Sequence, residues 1–548
     1  MRGAPFAPDL VLVEARVRTL DDRDRVASAV AVKDGRVVAV GADDEVRTLA
    51  GPGTRVEGLH GATLVPGLID PHNHLLVTGL GLGQVRLYEC RSLAEVLERV
   101  AARARTTPPG HWIVGRGWDE SLLAERRHPT RHDLDAVAPE HPVVLHRVWN
   151  KLVCNSTALR LAGITRGTPD PPAGERYAGS FERDEYGEPT GLFLDRAKAM
   201  VADRVPPPTE EELVAAVAVA GRAYNAVGLT GVADPGLYPH QIRAYDRARR
   251  EGVLSIRADL LLAGWGFGSP ADEEGLDARF AALGVTGGFG DDWLRLAGIK
   301  LMPDGGMGDR TARMSIPYRD EPGNRGVWVV EPGRLAELIR WVHDLGWAMD
   351  VHTCGDEAQA VTVRAFAAAQ DASPKPWLRH RVHHAYFPTP ETLRLMAARG
   401  IPALVSTPFL ANLGESFVDA VGAERTAEVM PLRTYLKAGV PLAGSSDAPI
   451  TDFDPWVGIH AAVTRRTVAG RELGPGECLS PAEALRLYTR GAAFALGHEA
   501  SRGTIEPGKL ADLVVLDRDP LALEDADELR EVTATATMVG GEWVGEER

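Results

Sequence analysis

Eight short apolar runs, separated by helix-like stretches, constrain the fold of this chain more than any other feature. They cover residues 63–69, 229–233, 255–262, 294–301, 347–351, 379–383, 401–405 and 440–444. Helical patterns fall between them, for example at 332–345 and 389–399. Strand-then-helix alternation predicts parallel strands joined by helical crossovers. Eight such units close into a (β/α)8 TIM barrel of the α/β class, with functional groups at the C-terminal strand ends. The count works only if residues 83–208 are an insertion between the first and second barrel strands. That stretch has strand-like runs of its own at 112–115 and 142–146, and Pro206-Pro207-Pro208 suits its exit.

Both ends of the chain read differently. Apolar runs at 10–13, 29–32 and 37–41, with the turn Asp34-Gly35 between the last two, predict strands and a hairpin. Runs at 513–516 and 540–544 repeat the pattern near the C-terminus. A small β-sandwich domain assembled from both termini is expected, from residues 1–60 and 499–548. The first barrel strand then lies in 61–82 and the rest of the barrel in 209–498.

A length of 548 residues suits one barrel with attachments. The net charge of -15 argues against a nucleic-acid binder or a basic membrane-surface protein. Cys90, Cys154, Cys354 and Cys478 are scattered, with no CxxC, as in a reducing compartment. There is no basic-then-apolar leader at the N-terminus and no apolar run of membrane-span length. The expected location is the cytoplasm.

The chemistry lies where the strands end. Thr63-Leu64-Val65 runs into Pro66-Gly67-Leu68-Ile69-Asp70-Pro71-His72-Asn73-His74. In extended chain, residues i and i+2 point the same way, so His72 and His74 can reach one metal ion. Neutral imidazole suits zinc and other first-row divalent metals. The fourth strand ends at Lys300, the fifth at His352, the sixth at His384 and the eighth at Asp447. Plainer roles exist for each: Lys300 could pair with Asp304 or Asp447, and Asp447 could cap a helix before Ala448-Pro449.

This order of motifs resembles the amidohydrolase superfamily, and more closely its amidohydrolase-3 (YtcJ-like) branch, which includes N-substituted formamide deformylases. Besides the segment ending in His72-Asn73-His74, the matches are Gly115-Arg116-Gly117-Trp118-Asp119, Asn155-Ser156-Thr157-Ala158-Leu159, Lys300-Leu301-Met302-Pro303-Asp304-Gly305 and Asp309-Arg310-Thr311-Ala312. They continue with Gly444-Ser445-Ser446-Asp447-Ala448-Pro449, Ala462-Val463-Thr464-Arg465 and Gly508-Lys509-Leu510-Ala511-Asp512-Leu513-Val514.

The resemblance implies a metal-dependent hydrolase of a non-peptide C–N bond, in an amide or an N-substituted formamide. It implies two divalent ions, Zn2+ by their ligands. His72 and His74 would bind the inner ion, His352 and His384 the outer one, and a carboxylated Lys300 would bridge them. Asp447 would be both a ligand and the catalytic proton acceptor. Trp118 and Arg310 are candidate substrate contacts, with core packing and a structural ion pair as their alternatives. The partners expected are a small-molecule substrate and a second copy of the chain in a homodimer, with no nucleic acid and no membrane.

The chain departs from the family pattern at three places. His383-His384 stands where Glu-His is usual, which leaves the choice of ligand between the two histidines open. Gly305-Gly306 replaces Gly-Ser. Cys354 stands in a usually aliphatic or small position, as a soft ligand or as a packed side chain. Two rival readings remain: a mononuclear deaminase, against which Lys300 speaks, and an inactive scaffold, against which the complete ligand set speaks.

Overall fold

The computed structural model describes residues 7–120, 122–147, 151–171, 179–267 and 273–545. The first six and last three residues of the expected terminal domain lie outside it. By internal contacts the chain divides into two units, residues 76–219 and the remainder.

The larger unit contains the barrel. Its strands run in the order Leu68–Asp70, Leu229–Leu237, Arg257–Ala263, Leu294–Leu301, Ala348–Thr353, Arg381–His384, Ala403–Val405 and Leu442–Gly444. Each pairs in parallel with the next. The seam between the last strand and the first is bridged just beyond the ladders. There Asp447 N donates to His72 O at 2.9 Å and His74 N donates to Ala448 O at 2.7 Å. The strands are covered on both faces, and Arg257–Ala263 is buried along its whole length.

The crossover helices show why these segments are helical. Pro332–Asp344 starts with proline at its first turn and buries Leu335, Leu338, Ile339 and Val342, a stripe at three- and four-residue spacing. Pro390–Arg399 is capped by Thr389, whose hydroxyl accepts from Thr392 N, and ends at Gly400 in the left-handed region.

One strand differs from the sequence reading. Residues 63–69 are not a single barrel strand. Thr63–Pro66 belongs to the terminal sandwich, where it pairs with Leu513–Leu516 and Arg16–Arg18. Only Leu68–Asp70 enters the barrel. Pro66 has no N–H to continue a ladder. Gly67 then passes so close to the second strand that a Cβ there would lie 2.2 Å from Thr230 Oγ1.

The sandwich has one sheet of four strands and one of six, drawn from both ends of the chain. Leu12, Val30, Leu64, Val515 and Met538 lie in their shared core. Arg257 at the start of the third barrel strand ties this domain down: its Nε and Nη2 donate to Asp512 at 2.7 and 2.9 Å, both side chains being buried.

The smaller unit is an α/β layer of its own. Val85–Arg86, Ile113–Arg116 and Val143–His146 are parallel, and Lys151–Cys154, Pro189–Leu194 and Phe181–Arg183 continue the sheet antiparallel. It extends past 83–208 at both ends, where the helices Leu75–Leu82 and Glu210–Ala226 bracket it. Among the described residues, no helix is long and apolar enough to cross a membrane.

A buried histidine pair makes a prediction about acid stability. His343 Nε2 donates to Ser373 O at 2.7 Å, so its Nδ1 is the acceptor facing His380 Nε2 at 2.8 Å. Burial, with His343 beside it, pushes His380 down to about 3. Its folded pKa therefore lies below the unfolded value of about 6.5. Between these two values the unfolded chain binds the extra proton, so stability falls as pH falls through that window. The slope is about 1.4 kcal/mol per pH unit for one proton. Urea midpoints at pH 7, 6 and 5 should fall less steeply in His380→Leu than in the wild type; equal slopes would show that His380 is not the group responsible.

Candidate metal centre

The C-terminal mouth of the barrel gathers all six residues expected there. His72 and His74 follow the first strand, and their rings lie 5.6 Å apart, edge to face. Lys300 and His352 sit on the fourth and fifth strands, His384 ends the sixth, and Asp447 follows the eighth.

Their donor and acceptor roles bear on what they could hold. His72 Nδ1 lies 3.0 Å from Asp350 Oδ2, which only accepts, so Nδ1 carries the proton and Nε2 presents a lone pair. That lone pair faces Asp447 Oδ1 at 3.4 Å, and His74 Nε2 faces the same oxygen at 3.4 Å. A proton on His74 answers one of these contacts; a cation among the three groups answers all of them.

The second cluster repeats the pattern. His352 Nε2 donates to Gly305 O at 3.1 Å, which leaves Nδ1 as an acceptor 3.0 Å from His384 Nε2. The other nitrogen of His384, Nδ1, is buried with no hydrogen-bond partner among the described residues. Nitrogens on a tetrahedral zinc at about 2.0–2.1 Å are about 3.3 Å apart, close to the His352–His384 spacing. The residues present therefore fit divalent metal. Two candidate groups converge, His72 with His383 and Asp447, and His352 with Cys354 and His384.

The structure brings both adjacent histidines of the sixth strand into the site. Neighbours on a strand should point to opposite faces. His384, however, has φ 68°, in the left-handed region that non-glycine residues avoid. The chain turns there, so His384 meets His352 while His383 stacks on His72 with ring centroids 3.3 Å apart. His383 Nδ1 also lies 3.4 Å from Lys300 Nζ.

Lys300 is not paired with Asp304 or Asp447. Its Nζ lies 3.3 Å from Asp350 Oδ1. Burial lowers its pKa from the ordinary lysine value, against the opposing pull of Asp350 and Asp447. Burial also pushes the Asp447 carboxyl up, but His72 and His74 outweigh it and hold the group well below the carboxylate range. Asp447 caps no helix; its φ is 55° and its N–H is tied to His72 O.

Three carboxylates support the site and had no assigned role in the sequence reading. Asp350 fixes the His72 tautomer and holds Lys300. It lies two residues before His352, the same i, i+2 relation that singled out His72 and His74. Asp70 accepts from Ser446 Oγ at 2.5 Å and from His72 N at 3.2 Å, clamping the eighth strand to the first. Burial pushes its carboxyl up to about 6 against those hydrogen bonds. Asp234, one residue past the expected second strand, lies 4.0 Å from His74 Nδ1 and accepts from Tyr245 Oη at 2.6 Å.

Trp118 and Arg310, the two substrate candidates, are found in a packed core and in an ion pair. Trp118 is 0% exposed, inside the core of the smaller unit and edge-on to His128, so it presents no face to a ligand. Arg310 is held by Asp320 at 2.7 Å and by Gly308 O, in an ion pair ten residues along its own loop. Asn155 caps the helix Ser156–Ala162 through Ala158 N at 3.0 Å.

The family follows from comparison with known proteins. The profile of the amidohydrolase family matches residues 55–544. The chain belongs to the amidohydrolase family. Among similar proteins, Bacillus subtilis (strain 168) YtcJ, itself named an amidohydrolase, is 32% identical over 538 residues, spanning 96% of this chain and 97% of YtcJ. The N-substituted formamide deformylase of Arthrobacter pascens is 33% identical over 554 residues, spanning 97% of both chains. A crystal structure of an uncharacterized metal-dependent hydrolase from Pyrococcus furiosus superposes with a TM-score of 0.75 at 28% identity, covering 93% of this amidohydrolase and 99% of that protein. The barrel with its added sheet domains is thus the metal-dependent hydrolase fold of this family.

Proposed function

We propose that this amidohydrolase hydrolyses a non-peptide C–N bond, in an amide or an N-substituted formamide, to a carboxylic acid and an amine. The observation that carries the reading is the convergence of His72, His74 and Asp447, two imidazole nitrogens aimed at one carboxylate oxygen with each contact at 3.4 Å. The full-length similarity to an N-substituted formamide deformylase supports the choice of bond.

In this reading His72 and His74 would hold one divalent ion and His352 and His384 another, with a carboxylated Lys300 as an anionic ligand shared by both; zinc suits the nitrogen-rich set. Such ions, when bound, polarise a carbonyl and bring the pKa of water near neutral. The protein supplies the rest. Asp447 takes the proton of the attacking water and returns it to the departing nitrogen. Asp350 keeps His72 in the tautomer whose Nε2 faces the site. Asp70 and Ser446 hold the first and eighth strand ends in register, which fixes Asp447 against His72 and His74.

A second reading is favoured by one observation. The Lys300–Asp350 contact of 3.3 Å is also what an unmodified ammonium would make. Lys300 would then be an ion-pair partner, and a single ion among His72, His383 and Asp447 would suit a mononuclear deaminase. A series of N-substituted formamides, simple amides and amino-substituted heterocycles separates the two. The hydrolase reading expects formate or another acid, with amine, and two metal ions per chain. Ammonia release from the heterocycles alone, with one ion per chain, would replace it with the deaminase.

A further inference from the structure

Cys354 stands two residues beyond His352, at the end of the same barrel strand. It is 2% exposed, and its Sγ lies within 4.8 Å of ligand nitrogens of both His352 and His384, which are likewise within 4.8 Å of each other. Its surroundings are polar. Tyr386 stands beside the thiol. Asp304 Oδ1 accepts from Cys354 N at 3.3 Å, and Asp304 Oδ2 accepts from Gly355 N at 2.8 Å. On the other side the chain presses on Arg313, where a Cβ at Gly355 would lie 1.9 Å from the carbonyl oxygen. The loop that carries the thiol is therefore pinned on both sides.

A second observation is independent of the cysteine. His384 is 4% exposed, and its Nδ1 is buried with no hydrogen-bond partner among the described residues. The ring's hydrogen-bonding contact is through Nε2, which faces His352 Nδ1 at 3.0 Å. The cluster thus brings two imidazoles into close contact with a soft donor within ligand distance of both.

We propose that Cys354 is a further protein ligand of the outer metal, beside His352, His384 and the shared Lys300, making a site that selects zinc-like ions over magnesium, calcium or manganese. The proposal rests on the metal-dependent reading above and specifies one of its two ion sites. Thiolate is a soft ligand, and soft ligands favour zinc and its neighbours over ions that prefer oxygen. The Tyr386 hydroxyl beside the sulfur would supply the kind of outer contact that orients a ligand and tunes it. The sulfur would ligate as the thiolate, its proton passing to solvent.

The test uses the full-length protein loaded with zinc or with cobalt. Zinc X-ray absorption should show a sulfur scatterer at about 2.3 Å. The cobalt form should show a near-ultraviolet thiolate-to-metal charge-transfer band. Cys354→Ser should lose both signals, keep its far-ultraviolet dichroism, and release one of its two ions to a chelator about 10-fold or more faster. Two bound ions with no sulfur shell and no charge-transfer band would overturn the proposal and leave the hydrolase reading standing. A band that persists in Cys354→Ser would assign the sulfur elsewhere and overturn it too. A wild-type chain that retains no metal would overturn both. Should Cys354→Ser fail to fold, the wild-type absorption spectrum decides alone.

Discussion

His72→Ala and His352→Ala should each lose bound metal and abolish hydrolysis while the barrel stays folded. The two substitutions strike different clusters. His72 is tied to Asp350 through Nδ1 and faces Asp447 through Nε2, whereas His352 is tied to Gly305 O and meets His384. Each variant should therefore lose one ion first. Removing a group that only orients a ligand costs about 10–100-fold in metal affinity or activity, and removing the ligand itself should cost more. Metal analysis by mass spectrometry, activity and far-ultraviolet dichroism on the same preparations check this. Full metal content with full activity in both variants would sink the site assignment.

Lys300→Ala should also be inactive, and a short carboxylate such as acetate or propionate should partly restore it. A cationic lysine beside two divalent ions is repelled and leaves them short of ligands. A carbamate inverts that charge and offers one oxygen to each ion. It also keeps one N–H on the lysine nitrogen, so the 3.3 Å contact to Asp350 Oδ1 survives the modification. In Lys300→Ala, Asp350 keeps His72 at 3.0 Å and the more distant Arg381 Nε at 3.9 Å, so the buried carboxylate is not stranded. Activity against carboxylate concentration and a structure of the metal-loaded wild type are the measurements. An unmodified amine with two fully occupied metals would refute the carbamate; an unmodified amine with one metal would favour the mononuclear reading.

The barrel and the candidate ligands at its strand ends could be read along the chain because both depend on local geometry. Side-chain direction alternates along a strand, so an apolar run followed by His72-Asn73-His74 announces two imidazoles on one side wherever the strand packs. The same holds for Lys300, His352 and Asp447, each at or just past the end of its own run. Asp350 was legible by the same rule, two residues before His352, but its partners His72 and Lys300 are 278 and 50 residues away and no local pattern announces them.

What the chain alone determined was the periodicity: which stretches are strands, which are helices, and which chemistry stands at each strand end. The tertiary structure decided everything that depends on a distant partner. It split residues 63–69 between two sheets, since Pro66 and Gly67 mark a break but only Leu513–Leu516 on one side and Leu229–Leu237 on the other say where each half goes. It turned His384 into the left-handed region, so that two adjacent histidines share a site that alternation would have divided. It buried Trp118 and gave Arg310 to Asp320. Periodicity is written in neighbouring residues; burial and pairing are settled between residues that meet only when the chain has closed.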